Sequence, residues 1–159
     1  MKKYHVLSVV FGLLCLSSCT SIEAPSFFDY KVIETDIFPI ASWQKVTDKH
    51  SEFHVYIEGD GYAYNAHGRP SSNPTPRGTL VRTLAFSDSS PNVIYLARPC
   101  QFVQNKYCHS KYWTTARFSA PVIESTAQAL KAIVGTSDVV LIGFSGGAQV
   151  AGLVAVMDH

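Results

Sequence analysis

The chain has 159 residues, of which 47% are hydrophobic, 12% aromatic and 16% charged, with a formal net charge of +1. That length suits one domain. The composition is that of a globular chain rather than a disordered one, and the near-neutral charge argues against a nucleic-acid partner.

Lys2 and Lys3 precede an almost wholly apolar run from Val6 to Leu16. This reads as a secretory leader, too short to span a bilayer stably. Its end, Leu16-Ser17-Ser18-Cys19, resembles the lipobox of bacterial lipoproteins. The resemblance implies cleavage after residue 18, a lipidated Cys19 as the new N-terminus, and stable anchoring by more than one acyl chain. Thr20, in place of an aspartate, favours the outer membrane. An ordinary signal peptide with an incidental cysteine is the plainer alternative. The expected organisation is a leader over 1–18, a lipidated tether over 19–26 and an α/β domain over 27–159, facing the periplasm from the cell envelope. Loss of Lys2 and Lys3 would take the net charge from +1 to −1. Cys15 leaves with the leader and Cys19 carries lipid, so Cys100 and Cys108 remain. In an oxidising compartment two cysteines this close read as a disulfide. A zinc site is the rival, weakened by the lack of a second ligand pair, and no metal or cofactor is expected.

From Phe27 to Val46 the chain is rich in β-branched and aromatic residues and predicts one or two strands, with Pro39 marking an edge or a bend. Phe53 to Ile57 predicts a strand broken by Glu58-Gly59-Asp60-Gly61. Residues 62–78 form a long loop with three prolines, and such loops are often functional. Thr79 to Ser87 predicts a short amphipathic helix with Leu80, Leu84 and Phe86 as its apolar positions. "NVIYLA" predicts a buried strand, and Arg98 to Trp113 a loop tied by the disulfide. Ser119 and Pro121 suit a helix start. Val122, Thr126, Ala129, Leu130 and Ile133 keep its period, and Gly135 ends it. "VVLIGF" predicts another buried strand, followed by a helix rich in small residues. From Phe53 onward the alternation of strand and helix predicts an α/β architecture with a mostly parallel sheet, its strands buried on both faces.

Gly143-Phe144-Ser145-Gly146-Gly147 is a G-x-S-x-G pattern between that strand and that helix. A nucleophile elbow needs this order of strand, tight turn and helix. Small neighbours let a serine occupy a strained turn, and the following helix points its positive end at a developing oxyanion. A glycine cluster that merely packs a strand against a helix is the bland alternative. With "YIEGDG" upstream, the chain resembles the N-terminal half of the α/β-hydrolase fold, in particular lipid-anchored bacterial hydrolases. The resemblance implies Ser145 as nucleophile, with the oxyanion held by the amides of Gly146 and Asp60 or Gly61, and Gly59 and Gly61 beside the substrate. A small-molecule ester is the implied substrate.

The family places its triad acid and then its histidine after later strands, whereas 14 residues follow Ser145 here. Asp158 and His159 lie one helix beyond the serine, about 18 Å away at 1.5 Å per residue. That is outside the reach of a general base. His67, in the long loop, is the one histidine expected near the correct end of the sheet. His54 and His109 read as structural or exposed, and Glu58 or Asp60 as loop-orienting groups. The expectation is a hydrolase lineage incomplete in this chain, or a non-catalytic envelope protein on the same scaffold. The elbow strand should then be an exposed apolar edge open to association.

Overall fold

The computed structural model describes residues 23–157. The leader, Cys19, Asp158 and His159 lie outside the described residues. Two strands open the domain, β1 (Asp29–Ile33) and β2 (Ile40–Val46). They form an antiparallel pair in which Ile33 faces Ile40, and Pro39 sits in the bend between them. The alternating segment Phe53–Ile57 is β3, burying Phe53, Val55 and Ile57. Helix α1 (Leu80–Ser87) leads to β4 (Asn92–Leu96), and α2 (Ala120–Val134) leads to β5 (Val139–Gly143), which runs into α3 (Gly146–Met157).

The sheet order is β1-β2-β4-β3-β5. β4, β3 and β5 are parallel, while β2 runs antiparallel to β4 and β1 to β2. The sheet is therefore mixed, not mostly parallel. The reason is local: short turns join β1 to β2 and force reversal, whereas the parallel strands are separated by crossover helices. Only β4 is buried at every position. β5 pairs with β3 alone among the described residues, so it is a half-exposed edge, with Val140 37% exposed.

Helices cover both faces. Ile123, Leu130 and Val134 of α2 and Val150 and Val154 of α3 pack on Val55, Ile57, Ile94 and Leu96. Val81 and Ala85 of α1 pack on Val93 and Tyr95 across the sheet. The buried face of α1 thus differs from the expected one. Leu80 and Leu84 are about half exposed, and the smaller Val81 and Ala85 allow close approach to the sheet. In α2 the expected period holds, with Val122, Thr126, Ala129 and Leu130 buried. Ser119 starts this helix through its backbone carbonyl, which accepts from Val122 and Ile123 N–H. Its hydroxyl makes no cap.

Candidate functional site

Parallel pairing of Ile57 with Gly143 brings β3 and β5 to their C-terminal ends at the same level. Two turns therefore leave the sheet side by side: Glu58-Gly59-Asp60-Gly61 after β3, and Phe144-Ser145 after β5. Ligands of parallel sheets gather at this carboxyl end. Ser145 has φ 53°, a left-handed conformation that is rare for serine. Phe144 carbonyl accepts from Gly147 N–H at 2.8 Å, and Ser145 carbonyl from Ala148 N–H at 3.1 Å. The turn thus closes directly into α3.

The absence of side chains makes this turn possible. A Cβ on Gly147 would strike the carbonyl oxygens of Ile57 and Glu58, and one on Gly146 would strike the Asp60 carboxylate. The start of α3 consequently sits on the end of β3. The Gly59 loop packs against the elbow, where a Cβ at Gly59 would lie 3.5 Å from Ser145 Cβ. Among the described residues, the N–H groups of Asp60 and Gly146 make no hydrogen bond.

Between these turns lies an open cleft of about 320 Å³, lined by Gly59, Asp60, Gly61, Tyr62, Leu80, Phe144 and Ser145 among others. Phe144 and Leu80 give it an apolar rim, 46% and 54% exposed. Arg77 stacks on Tyr62, its guanidinium carbon 3.5 Å from the ring centroid. Glu58 is buried and accepts from Tyr95 Oη–H at 2.7 Å. Burial, then the Glu58 charge, pushes the Tyr95 pKa well above the ordinary tyrosine range, so Tyr95 remains a donor.

Asp60 is held by two arginines, with Oδ1 3.4 Å from Arg98 Nη1 and Oδ2 3.4 Å from Arg117 Nε. Arg98 is almost fully buried and also donates to Arg117 carbonyl at 2.5 Å. Burial draws its pKa down to about 10, with Asp60 opposing and Arg117 reinforcing the shift. Arg98 remains a cation at neutral pH. The Asp60 carboxylate is thereby neutralised beside the positive end of α3.

The histidines fall elsewhere. His67 is exposed at the tip of a turn, its N–H donating to Asn65 Oδ1 at 2.9 Å. It does not line the cleft. His54 pairs with Asp88 at the opposite end of the sheet, and His109 is exposed. Among the described residues, no cluster of His, Cys, Asp or Glu is arranged to hold a metal ion. No helix among them is long and apolar enough to cross a membrane.

Cys100 and Cys108 form the expected disulfide. It closes the loop that carries Gln101; Arg98 stands just before that loop, and both reach the Gly59-Asp60 turn. Sequence reasoning missed these two residues and Arg117, because nothing in their spacing marks a contact with a turn 38 to 57 positions earlier. No protein-family model, curated protein sequence or solved structure matches the chain.

Proposed function

We propose that the chain belongs to a serine ester-hydrolase lineage of the α/β-hydrolase type, with Ser145 as nucleophile. The observation that carries this reading is the left-handed Ser145 between β5 and α3, with the Gly59-Asp60 turn packed against it. Strain of this kind persists where the surroundings over-determine it and clusters at functional sites. The donors in this reading are the Gly146 and Asp60 N–H groups, the second from the loop between β3 and the first helix, as in that family. The reaction would be acyl transfer: Ser145 Oγ attacks an ester carbonyl, the alcohol departs with a proton, and water hydrolyses the acyl-enzyme. Gly59 and Gly61 line the cleft that would take the ester, and the apolar rim suits its acyl chain.

The cleft has no histidine lining it among the described residues. A neutral serine without a base is a poor nucleophile, so the reading is of an incomplete site. The same observation favours a second reading, a lipid-anchored envelope protein that binds on this scaffold without turnover. In both, Cys19 is the membrane attachment and the β5 edge a surface for association.

Hydrolysis of p-nitrophenyl butyrate by the full-length chain separates these readings. Basal turnover should be negligible. Added imidazole, a free base, should raise hydrolysis by the wild type about tenfold or more over Ser145→Ala in the same buffer. Equal rates in the two proteins would overturn the nucleophile and favour the binding scaffold. Robust turnover without imidazole, abolished by Ser145→Ala, would overturn the incompleteness.

A further inference from the structure

Three non-glycine residues among those described have a left-handed φ: Ser145 (53°), Cys100 (69°) and Phe102 (62°). The first belongs to the elbow. The other two bracket Gln101, and neither cysteine nor phenylalanine has the short polar side chain that eases this conformation. Around them the bend is pinned from several sides. Val103 N–H donates to Gln101 carbonyl at 2.7 Å, Phe102 N–H donates to Thr75 Oγ1 at 2.7 Å, and Cys100 is bonded to Cys108.

The bend turns Gln101 inward, leaving it 1% exposed. Both ends of its amide are used. Oε1 accepts from Arg98 N–H at 3.0 Å, and Nε2 donates to the Gly59 carbonyl at 3.0 Å. Room for that amide comes from Gly61, at φ 63°, where a Cβ would lie 2.6 Å from Gln101 Nε2.

The Gly59 carbonyl and the Asp60 N–H belong to one planar trans peptide and point in opposite directions. Tying the carbonyl to Gln101 therefore turns the Asp60 N–H the other way, away from Gln101, in a turn that lines the cleft beside Ser145. A reversed peptide would present the carbonyl oxygen instead and repel an anion. We propose that Gln101 is the positioning residue of the oxyanion loop, fixing the Gly59–Asp60 peptide so that Asp60 N–H can act with Gly146 N–H. This inference rests on the Ser145 reading above.

The test is a titration of the ¹⁵N-labelled full-length chain with dimethylarsinate, a tetrahedral anion whose binding needs no reaction with Ser145. In the wild type, the amide protons of Asp60 and Gly146 should both move downfield along one saturation curve. Gln101→Glu keeps an acceptor for Arg98 N–H but presents a carboxylate oxygen to the Gly59 carbonyl. In that variant Asp60 should no longer move, Gly146 should still do so, and affinity should fall about tenfold. Gln101→Leu should behave in the same way and serves if the glutamate variant does not fold. If Asp60 responds in a folded variant as in the wild type, with unchanged affinity, the positioning role is overturned and the Ser145 reading stands. If neither amide moves in the wild type, the oxyanion reading fails and this inference with it.

Discussion

The two ends of the parallel strands carry similar residue types put to opposite uses. At the N-terminal end, His54 Nδ1 lies 2.7 Å from Asp88 Oδ2, and Tyr56 Oη–H donates to the same oxygen at 2.8 Å. At the C-terminal end, Ser145 stands in a strained turn with free amides beside it. His54 pairs with Val140 and Ile57 with Gly143, so three residues of strand, ~10 Å, separate the histidine from the last pair before the elbow. A histidine, an acid and a serine are all present, yet sheet polarity keeps them apart. The N-terminal cluster has its hydrogen bonds satisfied and ties the end of α1 to β3. The C-terminal end leaves the Asp60 and Gly146 N–H groups without hydrogen bonds among the described residues, and the half-buried Asp60 carboxylate is neutralised by arginines.

This contrast can be broken most severely from the C-terminal end. Gly147→Ala places a methyl group against the Ile57 and Glu58 carbonyl oxygens. It should cost about 3 kcal/mol or more, read by urea denaturation. A loss under 1 kcal/mol would mean that α3 does not rest on β3 as described. At the opposite end, His54→Ala should cost about 1 kcal/mol, the worth of one hydrogen bond. It should leave imidazole-rescued, Ser145-dependent hydrolysis within about twofold of wild type. A collapse of that rescued activity in a folded variant would show that the two ends are not independent.

The smallest effect is in acid. Burial works against the Asp88 carboxylate, but hydrogen bonds from Ser90 N–H, His54 and Tyr56 outweigh it and hold its pKa below 3.8. A depressed carboxylate adds stability that is present above the unfolded pKa and lost as pH falls through the folded one. The wild-type melting temperature should therefore drop on acidification below about pH 4, and that of Asp88→Asn should drop less. Parallel curves would remove Asp88 from the acid response. The alkaline counterpart is Tyr56, pushed up to about 12 by burial and then by Asp88. Its contribution is complete below pH 10 and fades toward 12.

What could be seen beforehand follows from the range of the interactions. β4, α2 and the elbow were legible because each writes its environment into consecutive or periodic residues: four apolar positions from Val93 to Leu96, a 3.6-residue repeat bounded by Pro121 and Gly135, and a glycine-flanked serine. The buried face of α1 was not legible, because Leu80 and Leu84 outrank Val81 and Ala85 in hydrophobic size while the sheet selects the smaller pair for closeness. Strands were legible in the segment that forms β1 and β2, but their antiparallel direction was not, because the alternation of strand and helix begins only at Phe53 and carries no information on the strands before it. Gln101 was invisible for another reason. Its flanking left-handed residues are a cysteine and a phenylalanine, which carry no turn signature, and tertiary contacts impose their conformation. The glycines of the Gly59-Asp60-Gly61 turn were legible, but their partner was not.

The pairing of β3 has a consequence for the order in which the molecule is made. Phe53 meets its β5 partner Val139 only 86 positions later. β2, β4 and α1 can assemble with β3 before that, but closing so long an intervening loop delays the last pairing. The Ser145 turn, carried on the late strand, is then the final piece to dock, and the Gly59-Asp60 turn with its Gln101 contact stands complete before it. Occupancy of the cleft would therefore report that folding has finished, and the elbow is the part of the domain most exposed to any interruption of it.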